Sequence, residues 1–146
     1  MTTIAYHHKD RQIAVDSRVT SGDEILSDTE NKAYKNELGI WLGSGNSCDY
    51  DMLFELKHKD ECYDKLDCDA LVIVKGKVYH VAIDEDTHCC CWTEAHYNYT
   101  LGTGEAYAMS AMDFGKSAKE AVEYAKTKDT NTGGLVRCYN LKKVRS

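Results

Sequence analysis

The order of elements legible in the sequence predicts a layered α+β domain: hairpins, a helix, more hairpins, two helices and a last strand, with helices covering sheet faces. Three observations carry this. The runs Thr3-Ile4-Ala5-Tyr6 and Gln12 to Asp16 flank the polar turn Lys9-Asp10-Arg11 and read as an opening hairpin. Ala70 to Val74 and Lys77 to Ile83 form the clearest strand pair, with Lys75-Gly76 as the tight turn between them. Ser117-Ala118-Lys119-Glu120 has the spacing of a capping box and opens a helix whose apolar side is Ala121, Val122, Tyr124 and Ala125.

The remaining elements follow in order. Residues 17 to 29 mix Ser, Thr, Gly and Asp around one apolar pair, Ile25-Leu26, and read as a structured loop. Ala33 to Leu38 resumes a strand, followed by Gly39-Ile40-Trp41-Leu42. Gly43-Ser44-Gly45-Asn46-Ser47 then leads into an amphipathic stretch through Met52, Leu53, Phe54 and Leu56, with Ser47 or Asn46 as its cap. Lys57 to Asp69 is dense in charge and reads as a solvated helix end and loop. Asp84-Glu85-Asp86 is a turn, Thr87 to Thr93 a further strand, Ala106 to Phe114 a helix stopped by Gly115, and Leu135 to Tyr139 a last strand before the basic end Lys142 to Arg145.

A chain of 146 residues fits one domain, 1–146, and buries roughly two thirds of its unfolded surface, so it needs neither disulfide nor metal to hold a core. Eighteen Lys and Arg against 24 Asp and Glu give a net charge of −6, which argues against a nucleic-acid or anionic-membrane surface. No apolar run approaches membrane-spanning length, and Tyr6-His7-His8-Lys9-Asp10-Arg11 so near the start argues against a signal peptide. Seven cysteines, an odd number, fit a reducing cytoplasmic setting better than a secreted disulfide framework. With no proline and glycines in short clusters, nothing marks an interdomain linker.

The first 32 residues carry the chemistry. Once Met1 is removed, Thr2 holds a free α-amine and a hydroxyl on adjacent carbons. An amine in that position can take the hydroxyl proton and later return it to a leaving group. A lysine ammonium beside the amine lowers its pKa and favours the neutral, basic form, and an aspartate holds the lysine and balances its charge. While Met1 stays attached, the Thr2 nitrogen is an amide and cannot act as the base. Asp16 ends the second strand, a position suited to a residue aimed into a site rather than buried in a core.

These features resemble the proteasome β-subunit family of N-terminal-nucleophile hydrolases, and within it the bacterial proteasome-like protease that works with an unfoldase ATPase. Thr2-Thr3-Ile4 looks like the mature start of such subunits. Asp16-Ser17-Arg18 matches the aspartate-x-arginine after the first hairpin, and Thr20-x-Gly22 the threonine and glycine that follow it. Lys32 stands sixteen positions after Asp16, where the family places its catalytic lysine. Gly45 matches the glycine whose backbone N–H helps form an oxyanion hole. Gly102-Thr103-Gly104 matches a glycine-serine-glycine motif, and Asp129-x-x-Thr132-Gly133-Gly134 an aspartate-x-x-serine-glycine-glycine motif supporting the nucleophile. The likeness runs from residue 2 to about residue 140, and it is the joint order and spacing that make it specific.

The resemblance implies a shortened four-layer αββα sandwich, rings of six or seven subunits often stacked face to face, an ATPase partner, and cleavage of unfolded polypeptide without a cofactor. In that scheme Thr2 attacks, Lys32 tunes the amine, Asp16 orients Lys32, and the Gly45 N–H holds the oxyanion. Thr103, Asp129 and Thr132 fix the amine, while Arg18 shapes the site, paired with an acidic residue. The chain departs from the pattern in three places. Thr103 and Thr132 stand where the family has serines, Glu105 follows the glycine motif, and the charged segment from Lys57 to Asp69 replaces a longer central helix that contributes to ring contacts. Two other readings stand beside the peptidase: an inactive ring-forming scaffold, and an N-terminal-threonine amidohydrolase acting on a small amide.

Other constellations are weaker. Asp84, Asp86, His88, Cys89, Cys91 and His96 offer ligand types for zinc or iron, but no Cys-x-x-Cys pair is present and a strand would turn only some of them to one side. A solvated turn before a cysteine-rich strand accounts for them. His7 and His8 are adjacent strand residues that point to opposite faces, one at the surface and one packed. Gly43 to Ser47 lacks the lysine and spacing of a phosphate loop. Tyr97 and Tyr99 suit core edges or subunit contacts.

Overall fold

A computed structural model describes residues 2–141; Met1 and the basic end Lys142 to Arg145 lie outside them. In chain order the strands of the first half are β1 (Thr3–His7), β2 (Gln12–Val15), β3 (Val19–Ser21), β4 (Glu24–Ser27), β5 (Ala33–Lys35) and β6 (Ile40–Gly45). A short 3-10 turn, Ser47–Asp49, leads into α1 (Tyr50–Phe54). Then follow β7 (Cys68–Val74), β8 (Lys77–Ile83), β9 (Cys90–Glu94), β10 (Tyr99–Gly102), α2 (Glu105–Asp113), α3 (Ala118–Lys126) and β11 (Arg137–Asn140). The chain divides into two compact units, one built from the residues up to Lys32 and from His96 onward, the other Ala33–Ala95.

In the first unit, four antiparallel strands pair in the order β10-β1-β2-β11. Ala5 and Ala14, on neighbouring strands, are small enough to bring α2 and α3 down onto the sheet, where they pack with Ala108, Ala111, Met112, Ala118, Ala121, Val122 and Ala125. The expected capping box starts α3: Ser117 Oγ accepts from the Glu120 N–H at 3.2 Å and Glu120 Oε1 from the Ser117 N–H at 3.2 Å. Thr3, Ile4, Ala5 and Tyr6 are all buried, so the strand shows no period-2 alternation.

In the second unit, five antiparallel strands run β5-β6-β7-β8-β9. One face holds Trp41, Ala70, Val72, Val81 and Cys90, packed with Leu53 and Phe54 of α1. The β7–β8 hairpin turns at Lys75 (φ 51) and Gly76 (φ 78), both left-handed, as a two-residue turn matched to strand twist requires. Among the described residues no helix is long and apolar enough to cross a membrane.

Several expectations are corrected. Residues 17 to 29 contain the two-stranded ribbon β3–β4, with Gly22 at φ 58 in its turn. Neither strand buries a residue, so no hydrophobic period announced it. Gly43-Ser44-Gly45, to which the sequence assigned no element, continues β6; the rings of Phe54 and Tyr50 lie 3.0 and 3.1 Å from where a Gly43 Cβ would stand, so glycine here marks close packing. The helix through Met52 to Leu56 is a single short turn, with Asn46 as the cap of its 3-10 entry. Strand β10 had no sequence signal and exists through its pairing with β1.

Candidate active site

Asp16 follows β2 directly and has no solvent exposure, so it is both aimed at the site and buried. A buried carboxylate needs donors, and it has four. Oδ1 accepts from the Thr3 N–H at 3.1 Å and from Lys32 Nζ at 2.8 Å. Oδ2 accepts from the Gly133 N–H at 3.1 Å and the Arg18 N–H at 3.4 Å. One side chain thereby ties the start of β1 to the lysine sixteen residues on and to the loop after α3.

The Lys32 side chain is only 10% exposed. Burial lowers its pKa from the ordinary 10.5, and the attraction of Asp16 and Glu30 opposes the shift without cancelling it. The loop that carries Lys32 is clamped by Arg137 of β11. Its Nη1 donates to Ser17 Oγ at 2.8 Å and to the Glu30 carbonyl at 2.7 Å, and its Nη2 donates to the Thr29 carbonyl at 3.0 Å. Ser17 in turn donates to the Leu135 carbonyl. Arg137 went unnoticed in the sequence, since an arginine near the end of a strand carries no signal of what it will reach.

A second hub is Asp129. Its Oδ2 accepts from Thr103 Oγ1 at 2.5 Å and Thr132 Oγ1 at 2.6 Å, and its Oδ1 from the Asn131 N–H at 3.2 Å. Burial pushes this carboxyl up, but the two hydroxyls and the amide outweigh it and hold the group below its usual 3.8. The Thr103 N–H donates to the Thr2 carbonyl at 3.0 Å, which links this hub to the chain start. The methyls that distinguish Thr103 and Thr132 from serine leave both hydroxyls bonded to the carboxylate.

Arg18 forms a bidentate pair with Asp28, 2.8 Å from Nε to Oδ1 and 3.2 Å from Nη2 to Oδ2, and donates to the Thr130 carbonyl at 3.1 Å. The hydrogen bond to Asp28 raises the arginine pKa and holds the Asp28 carboxyl low. Its guanidinium fills the space beside Gly133, where a Cβ would lie 2.3 Å from Cζ.

Of the residues expected at the site, Thr2, Asp16, Lys32, Thr103, Asp129 and Thr132 lie in the first unit, in two bonded groups: Asp16 with Lys32, and Asp129 with Thr103 and Thr132, where Thr103 also holds the Thr2 carbonyl. Gly45 lies in the second, at the end of β6 with φ 112, where a Cβ would meet the Asp67 carbonyl oxygen at 2.5 Å. A second residue missed at the site is Thr3, fully buried, whose hydroxyl is 2.6 Å from Thr132 Oγ1. Its only sequence signal was a hydroxyl residue at the head of a strand. Among the described residues no group of three or more His, Cys, Asp or Glu side chains is gathered for a metal; His88 sits in a turn at φ 57 and Cys89 precedes β9.

No family model matches the sequence, and no curated protein sequence matches it significantly. Solved structures do. The Thiobacillus denitrificans protein BPH in complex with epoxomicin superposes with a TM-score of 0.69 at 17% identity, over 97% of this chain and 100% of that one. BPH in a second structure gives 0.68 at 18%, over 97% and 99%. Eukaryotic HslV from Trypanosoma brucei gives 0.68 at 17%, over 94% and 97%. Near-complete coverage in both directions at so low an identity is likeness of backbone, and it establishes that this chain has the N-terminal-nucleophile hydrolase fold of the HslV-type proteasome-like subunits.

Proposed function

We propose that the protein is a threonine-type peptidase subunit. The observation that carries this reading is the bond between Lys32 and a fully buried Asp16 that also holds the Thr3 N–H. In the proposed reaction Met1 is removed, freeing the Thr2 amine, and Thr2 Oγ attacks the scissile carbonyl as the amine accepts its proton. The Lys32 ammonium disfavours a second positive charge and keeps the amine basic. The Gly45 N–H is assigned to the developing oxyanion. Thr103, Asp129 and Thr132 fix the chain start. Breakdown of the tetrahedral intermediate returns the proton to the leaving amine and leaves an acyl ester on Thr2, which water hydrolyses.

The substrate class is unfolded polypeptide, taken up within a homo-oligomeric ring in the cytoplasm and delivered by an unfoldase ATPase. The likeness to HslV supports this assignment. The test is threefold: N-terminal mass for loss of Met1, native mass for the ring, and cleavage of an unfolded protein by wild type and Thr2→Ala. Loss of cleavage in Thr2→Ala of at least about 100-fold is expected. Equal cleavage by both overturns the assigned nucleophile, and a ringless protein that hydrolyses only small amides favours the amidase reading.

A further inference from the structure

Thr3 has no place in the reaction as proposed, because its nitrogen is a peptide and its hydroxyl is buried. The geometry around that hydroxyl nevertheless determines a direction. Ionised Asp129 can only accept, and a hydroxyl has one proton to give. Thr132 Oγ1, 2.6 Å from Asp129 Oδ2, gives its proton to the carboxylate. Across the 2.6 Å contact between Thr3 and Thr132, Thr132 must then accept and Thr3 must donate. Thr3 Oγ1 in turn accepts from the Gly104 N–H at 3.1 Å. The bonds therefore run one way, from the Gly104 amide through Thr3 and Thr132 to Asp129, and each polarises the next.

The anchor of this chain is also specific. A Cβ on residue 104 would stand 2.3 Å from Thr3 Oγ1 and 3.1 Å from Thr132 Oγ1, so the relay needs glycine there. The peptide between Thr2 and Thr3 is held at both polar ends as well, its carbonyl by the Thr103 N–H and its N–H by Asp16. Resting on the peptidase reading above, we infer that Thr3 is a positioning residue: its hydroxyl, donating to Thr132, commits the Thr132 proton to Asp129 and locks the Thr2–Thr3 peptide in the orientation the nucleophile needs. The charged side chains Arg18, Asp23, Lys126 and Lys128 line the same cleft as Asp129, of about 650 Å³.

The test compares Thr3→Val, which keeps the shape and removes the hydroxyl, with Thr3→Ser, which restores it. With a capped peptide substrate, Thr3→Val is expected to lose kcat about tenfold or more at unchanged KM, and Thr3→Ser to stay within about twofold of wild type. Titration of the Asp129 carboxyl carbon by NMR is expected to show its midpoint raised by about half a pH unit in Thr3→Val and unmoved in Thr3→Ser. A titration unchanged in Thr3→Val overturns the inference. If wild type cleaves nothing, the peptidase reading falls while the titration still decides the relay. Should Thr3→Val not fold, wild type decides: a Thr3 hydroxyl proton protected from solvent exchange while Asp129 is ionised is expected, and rapid exchange overturns it.

Discussion

Lys32 Nζ stands 2.8 Å from Oδ1 of Asp16, a carboxylate with no exposed surface, and burial of the lysine outweighs that attraction in setting its pKa. The pair is thus a charge held where it is costly, and its partner's other bonds reach the first strand and the Gly133 turn.

Removing one partner of such a pair leaves the other unpaired. Lys32→Ala is expected to abolish peptide cleavage by about 100-fold or more and to destabilise the fold by about 3 kcal/mol. Denaturation and initial rates measured on the same preparation check both, and wild-type activity in Lys32→Ala would remove the lysine from the mechanism.

The lowered Lys32 pKa also predicts pH dependence. The folded state binds this proton less tightly than the unfolded chain, so the lysine's contribution to stability rises with pH between its lowered value and the ordinary 10.5. Activity that needs the ammonium should fall over the same alkaline window. The pH profile of kcat/KM, beside that of denaturation midpoints for wild type and Lys32→Met, checks the two signs.

Asp129 gives a slope of the same sign in the acid range. Its carboxyl lies below 3.8 when folded, so it contributes stability above that value and loses it as the pH falls through the folded pKa. Asp129→Asn is expected to flatten the acid limb of stability as the pH falls from the ordinary 3.8 through the lower folded value, measured by denaturation midpoints. A limb as steep as that of wild type would contradict the assignment.

Two left-handed glycines separate strain from collision. A Cβ on Gly76, at φ 78, would meet no atom within 4 Å, and Gly76→Ala should cost about 1 kcal/mol and leave activity intact. Gly134 at φ 76 would put its Cβ 2.3 Å from the Asp28 carbonyl oxygen, an oxygen that accepts from the Leu135 N–H at 3.1 Å. Gly134→Ala should cost about 3 kcal/mol and lower activity by displacing the loop before Lys32. Paired denaturation curves decide it.

Asn36 organises the entry to β6. Its Oδ1 accepts from the Trp41 indole at 2.9 Å and from the N–H groups of Leu38 and Gly39 at 2.9 and 3.2 Å, while its Nδ2 donates to the Phe54 carbonyl at 2.8 Å. Asn36→Ala strands those donors beside a fully buried Trp41 and should cost about 2 to 3 kcal/mol, read by tryptophan fluorescence on denaturation.

What could be read ahead of the structure followed local rules. The Lys75-Gly76 hairpin and the Ser117–Glu120 capping box declare themselves within a few residues, and both stand where expected. The ribbon β3–β4 did not, because strands that bury nothing carry no hydrophobic period. A glycine such as Gly43 signals both a turn and a close approach in sequence, and only the rings of Tyr50 and Phe54 tell the two apart.

By itself the sequence determined most of the order of strands and helices, without β3, β4 and β10, and it carried the family resemblance of the aspartate, lysine and threonine motifs. Tertiary structure decided what those residues touch. Asp16 meets Lys32 and Gly133, Asp129 meets Thr103 and Thr132, and Thr3 meets Thr132 across 129 positions. The physical reason is that a hydrogen bond depends on distance and direction in space. Sequence spacing limits these only within a turn or a hairpin, whereas the β10-β1-β2-β11 pairing and the loops at its ends bring together groups that no local pattern relates.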